Sequence, residues 1–188
     1  MKMRFKILMT VATIGLLFVA NCAGAGEPQS TPESIIENIN KVAKSHLNLN
    51  SWTLVAIGIQ FNEEKPQKER EYGILYGKYY KNGNPDVYTS VGFLVKFDEE
   101  GILTVPPPGK IGADISHSCT GQNCADCNFD LSGFPNIKCK PCTTPAGGEG
   151  ESICNHSTTM TVGAGLRAIR ISQDYPSIIK EANNLLKH

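Results

Sequence analysis

Between His117 and His156 the chain places six of its seven cysteines as Cys119-x4-Cys124-x2-Cys127-x11-Cys139-x2-Cys142-x11-Cys154, bracketed by the two histidines. Thiols and imidazoles form covalent bridges, bind metals and exchange protons near neutral pH. The stretch between them is rich in Gly, Pro and Asn, and only Phe129, Leu131, Phe134, Ile137 and Ile153 are large and apolar. It cannot build a core of its own, so cross-links must hold it. Three disulfides among Cys119, Cys124, Cys127, Cys139, Cys142 and Cys154 are the expectation, each worth ~3 kcal/mol, and the spacing does not choose a pairing. The alternative is zinc held by two knuckles, Cys124-x2-Cys127 and Cys139-x2-Cys142, with four thiolates in a tetrahedron. That set leaves Cys119 and Cys154 as unpaired thiols.

A second alternative comes from likeness. Cys119-Thr120-Gly121-Gln122-Asn123-Cys124-Ala125-Asp126-Cys127 resembles the cluster loop of plant-type ferredoxins, C-x4-C-x2-C. The resemblance implies a 2Fe-2S cluster on Cys119, Cys124 and Cys127, with Cys154 as a distant fourth ligand. It covers this loop alone and gives Cys139 and Cys142 no part. The run from Cys119 to Phe129, C-[ST]-G-x-x-C-x-x-C-x-F, also resembles the cysteine-rich segment of small exported bacterial proteins of unknown function. That likeness implies export and carries no activity.

The N-terminus points the same way. Lys2, Arg4 and Lys6 precede an apolar run from Ile7 to Ala20, the form of a signal peptide and too short for a comfortable membrane span. Residues 1–25 are therefore expected to be a signal peptide. Ala23-Gly24-Ala25 has the small-x-small form of a cleavage site. Val19-Ala20-Asn21-Cys22 resembles a bacterial lipobox, except that Asn21 stands where a small residue is usual; the likeness implies a lipid anchor at Cys22. A cluster built in the cytoplasm would need the export route marked by paired arginines, and the leader has only Lys2-Met3-Arg4-Phe5-Lys6. Disulfides thus come first, and no resident cofactor is expected.

The elements that must position these residues are legible from periodicity. At 188 residues with 40% hydrophobic and 19% charged content, the chain suits one globular domain. Net charge is zero, and without the leader's three cations about 15 basic residues face 18 acidic ones; no basic footprint for nucleic acid remains. Thr31, Pro32 and Glu33 begin a helix over residues 32–46, with Ile35, Ile36, Ile39, Val42, Ala43 and Leu47 on one face. His46 ends it, as a cation suits a helix C-terminus, and receives no functional role.

Four strands follow. Residues 51–61 alternate, with Val55, Ile57, Ile59 and Phe61 on one face and Trp52, Leu54 and Ala56 on the other. Residues 71–80 form a second strand, the turn Asn82-Gly83-Asn84-Pro85 leads to a third over residues 87–97, and residues 102–105 form the fourth before Pro106-Pro107-Pro108 ends the sheet. Tyr72, Tyr76, Tyr79, Tyr80 and Tyr88 are read as cross-strand cover on a half-exposed sheet. Two short strands, residues 158–162 and 166–171, and a helix begun by Asp174 or Ser172 and Pro176 complete the chain.

The expected fold is α+β: an N-terminal helix on an antiparallel meander of about four strands, a disulfide-stapled insertion and a C-terminal helix. Residues 26–110 and 157–188 form the body, and residues 117–156 form the cysteine-rich segment. No phosphate loop, nucleophile elbow or His-Glu zinc helix occurs, and neither C-x2-C pair sits in a strand-to-helix redox unit. His117 and His156 would meet, as a small metal site or a pH-sensitive latch, if Cys119 pairs near Cys154; otherwise they are solvated loop residues. Asn155-His156-Ser157 matches a glycosylation acceptor by chance in a chain with a bacterial leader. The sequence describes an exported, non-enzymatic binding or cell-envelope protein with no identified protein or small-molecule ligand. Its alternative is an exported redox or electron-transfer protein.

Overall fold

The computed structural model describes residues 29–62, 71–107, 114–124, 127–142, 152–160 and 169–188. The leader and Cys22 lie outside them, as does most of the stretch expected to hold the strands at 158–162 and 166–171.

Helix α1 spans Pro32–Ala43, and the Thr31 side chain accepts a hydrogen bond from the Ser34 amide at 3.3 Å. It stops three residues before the expected end, so His46 leaves the helix in a turn. Strands β1 (Trp52–Phe61), β2 (Tyr72–Lys81) and β3 (Asn84–Phe97) form an antiparallel meander. Gly83, with φ +78°, supplies the left-handed residue of the β2–β3 turn. The β1 ladder slips between Leu54 and Ala56. Val55 is bulged out and 37% exposed, and the alternation reverses there, so Leu54 joins the same core as Ile57.

The fold differs from the expected α+β body with a four-stranded meander. The protein is mostly β: a curled antiparallel sheet of seven strands, a half-barrel, with two helices among the described residues. The extra strands follow from β3, whose 14 residues outrun its neighbours. Its C-terminal end pairs with β4 (Leu103–Thr104), which pairs with β9 (Arg170–Ile171). Its middle, Val87 to Phe93, pairs on the same edge with β5 (Ile115–Gln122), and β5 pairs with β8 (Ile153–Met160). Most of β5 and half of β8 therefore come from the segment expected to be an insertion. A separate ribbon, β6 (Phe129–Asp130) with β7 (Lys138–Cys139), completes it.

Both faces of the sheet are covered. Against one, α1 and α2 (Tyr175–Leu185) bury Ile35, Ile39, Val42 and Ala182 with Ile57, Leu75, Val91, Phe93, Val95 and Leu103. Trp52 packs at the edge of this core, and Tyr79 enters it, its hydroxyl donating to Asn40 Oδ1 at 3.0 Å. Against the other, Ile74, Tyr88 and Leu94 pack on Phe129, Leu131, Ile137 and the cysteines. Fully burying a side chain such as Phe129 stabilises by about 1.5–3 kcal/mol, so the cysteine-rich segment has a core of its own against the sheet. Gly92 makes room for β2 beside β3, since a Cβ there would meet the Leu75 carbonyl oxygen at 2.7 Å. Among the described residues no helix is long and apolar enough to cross a membrane.

Candidate functional site

The six cysteines pair as Cys119–Cys139, Cys124–Cys142 and Cys127–Cys154. Each bridge joins a buried cysteine (Cys119, Cys124 or Cys127) to a half-buried one (Cys139, Cys142 or Cys154). Cys119 sits in β5 and Cys154 in β8, facing the same side of the sheet because Gly121 opposes Cys154 and His156 opposes Cys119. The second and third bridges rest on Gly121, where a Cβ would lie 3.0 Å from Cys127 Cβ and 3.2 Å from Cys124 Cβ.

Two polar anchors, Gln60 and Ser90, seat the segment on the sheet, and a third contact ties it to itself. The Gln60 side chain accepts from the Phe129 amide at 3.2 Å and donates to the Phe129 carbonyl. Ser90 Oγ donates to the Cys127 carbonyl at 3.1 Å, and Ser152 Oγ donates to the Asn123 carbonyl at 2.8 Å. The sulfurs form one cluster: those of Cys119, Cys139 and Cys154 lie within 4.8 Å of one another, as do those of Cys127, Cys142 and Cys154. Cys154 belongs to both groups, so the Cys127–Cys154 bridge lies between the other two.

Beside the bridges, His117 and His156 meet diagonally across β5 and β8. His117 Nδ1 lies 3.2 Å from His156 Nε2, the ring centroids are 5.4 Å apart and the planes differ by 11°. Near-parallel rings with their nitrogens between the centroids form an end-to-end N–H···N hydrogen bond, in which one ring donates and the other accepts. His117 is 6% exposed, and its other nitrogen, Nε2, has no hydrogen-bond partner. Burial first, then His156 and His46, lower its pKa to about 4. Burial also lowers the pKa values of His156 and His46, the latter with a further push from His156.

The opposite face of β5 carries hydroxyls. Ser118 and Ser157 share a hydrogen bond at 2.7 Å, as do Thr89 and Thr120 at 2.7 Å. Ser116 Oγ donates to the Thr159 carbonyl at 3.2 Å and lies 2.8 Å from His46 Nε2.

The structure thus brings together all six cysteines singled out from the sequence, and both histidines. The pair of histidines meets even though Cys119 bonds Cys139, because strand register does what a Cys119–Cys154 bridge was expected to do. The candidate zinc set Cys124, Cys127, Cys139 and Cys142 and the cluster set Cys119, Cys124, Cys127 and Cys154 are each distributed over three bridges. Sequence reasoning missed Gln60 and Ser90 as anchors and His46 as a partner of Ser116. A lone glutamine in an apolar strand was the available signal for the first; nothing in the sequence marked the other two. Comparison with protein-family models, curated proteins and solved structures returned no match for this chain.

Proposed function

We propose that the chain is an exported, non-enzymatic binding or cell-envelope protein whose cysteine-rich segment forms a rigid, disulfide-locked face. The observation that supports this reading is the pairing of all six cysteines outside the leader. Such bridges persist in oxidising compartments, which agrees with the cationic and apolar leader of residues 1–25. The covalent lattice fixes the exposed rim of β5, β8 and the β6–β7 ribbon, so a partner would meet a surface with little ordering entropy left to lose. That partner is a protein or small molecule, and any membrane attachment comes through lipid at Cys22.

Intact-mass measurement of the mature protein, before and after reduction, tests the proposal. The expected product begins at lipidated Cys22 or at Gly26 and gains two hydrogens per bridge on reduction. A mature chain retaining Met1 to Ala20, or one with several reactive thiols as isolated, would overturn it. The second reading, a redox or electron-transfer protein, is favoured by the closeness of sulfurs in neighbouring bridges. Visible absorption, bound zinc or native thiols would select it.

A further inference from the structure

We propose that the three bridges form a thiol–disulfide exchange relay, carrying a free thiol between the half-buried Cys142 and the half-buried Cys139 through Cys154. The inference rests on the bridges alone and is independent of where the protein resides. Its basis is the sulfur cluster. Cys142 and Cys127 belong to one group of sulfurs within 4.8 Å, and Cys154 and Cys119 belong to the other. Exchange requires a thiolate sulfur to reach one sulfur of another disulfide. Here every needed partner sulfur lies within 4.8 Å of the sulfur that attacks it.

The chemistry begins with an external dithiol, a small molecule or a protein with two adjacent cysteines. One of its thiolates attacks Cys142 and breaks Cys124–Cys142, and its second thiol resolves the mixed disulfide. The dithiol is oxidised to a disulfide, and Cys124 and Cys142 become thiols. The Cys142 thiolate then attacks Cys127: the Cys127–Cys142 bond forms, the Cys127–Cys154 bond breaks, and Cys154 leaves as a thiolate. Cys154 attacks Cys119: the Cys119–Cys154 bond forms, the Cys119–Cys139 bond breaks, and Cys139 leaves as a thiolate. The two internal steps each make one bond and break one, with no net oxidation.

Cys139 is a suitable terminus. It is only half buried, and Lys138 and Lys140 flank it in sequence. Nearby cations favour the thiolate form, although the Asp130 carboxylate also faces both lysines. The buried members Cys119, Cys124 and Cys127 are shielded from outside attack, so dithiols enter and leave through the outer three.

The Cys124→Ala variant of the full chain tests the relay without added reductant, because it leaves Cys142 as the lone thiol among the cysteines of the segment; Cys22, outside the segment, is replaced by Ser in the same protein. After equilibration at mildly alkaline pH, the free thiol is alkylated under acid quench and located by non-reducing peptide mapping. The relay predicts loss of label from Cys142, matched by gain at Cys139 and Cys154, together with Cys127–Cys142 and Cys119–Cys154 bridges. Label confined to Cys142, with two native bridges, would overturn it.

Should that variant not fold, the wild-type protein at limiting dithiothreitol decides the matter. Singly reduced molecules carrying thiols at Cys124 and Cys139 support the relay. Singly reduced molecules carrying only the native pairs Cys119/Cys139, Cys124/Cys142 or Cys127/Cys154 refute it.

Discussion

Among the three described histidines that meet near β5, His117 is the one most withdrawn from water. Burial and two neighbouring imidazoles hold its pKa at about 4, against 6.5 in an unfolded chain. Between those values the unfolded chain binds a proton that the folded protein does not, so stability is full above pH 6.5, falls as pH drops through the window and levels off below 4. The loss is at most about 1.4 kcal/mol per pH unit for this one group. His46 and His156, also lowered, add to it with the same sign. Urea midpoints of the metal-free protein above pH 6.5 and inside the window should show the decline, and His117→Gln should flatten it. An equally steep profile in that variant would assign the effect to other groups.

Gln60 makes a different prediction at the same scale. Its amide satisfies both backbone groups of Phe129, so Gln60→Ala leaves a buried donor and acceptor unpaired, at a cost of about 1–3 kcal/mol. Hydrogen exchange at the Phe129 amide should accelerate, while amides of α1 keep their protection.

At the scale of elements, α2 does more than cover the sheet. Asn183 Oδ1 accepts from the Ile57 amide at 2.7 Å, and its Nδ2 donates to the Ile57 carbonyl at 2.8 Å. One side chain thereby imitates a neighbouring strand at the edge of β1, where unpaired groups invite association. Asn183→Ala should destabilise by about 1–3 kcal/mol. Asn183→Asp should cost at least as much, since a carboxylate accepts from the amide but opposes the carbonyl. Thermal unfolding and light scattering of both variants check this; two variants as stable and monodisperse as the parent would remove the role.

The elements differ in how well the sequence announces them. β1, β2 and β3 alternate apolar and polar residues, α1 repeats apolar residues at helical spacing, and the structure has them within a few residues of the expected bounds. β5 reads Ile-Ser-His-Ser-Cys-Thr-Gly-Gln and β8 Ile-Cys-Asn-His-Ser-Thr-Thr-Met. Neither has an apolar face, because disulfides, paired hydroxyls and paired imidazoles fill the place that Val or Ile fills elsewhere. Periodicity detects burial by apolar side chains and is blind to burial by cystine. The slip at Val55 was invisible for another reason: a bulge depends on the partner strand, and the local alternation of β1 reads smoothly through it.

In the whole molecule, two cores share one sheet, and they depend on the bridges unequally. The bridges close sequence separations of 20, 18 and 27 residues, and each is worth about 3 kcal/mol. The helix-side core contains no cysteine, while the opposite core is built around them. Reduction should therefore expose the second face first. Trypsin should cut after Lys138, Pro141 protecting the bond after Lys140, and the tyrosine signals of Tyr72, Tyr76 and Tyr88 should change before that of Trp52. Loss of the Trp52 near-ultraviolet signal in the same transition would show that the two faces fold as one unit.

The pairing order has one more consequence, which concerns survival after damage. In sequence, the first cysteine of the segment bonds the fourth, the second bonds the fifth and the third bonds the sixth. Every point between Cys119 and Cys154 is thus spanned by at least one bridge. A single peptide-bond scission anywhere in that stretch severs the backbone yet releases nothing, since both pieces remain fastened through sulfur. A nicked molecule should run as one band on a non-reducing gel and as two after reduction, having kept its shape in between. Under attack by a protease, the wound that ordinarily ends a loop-rich surface would be one this protein carries without coming apart.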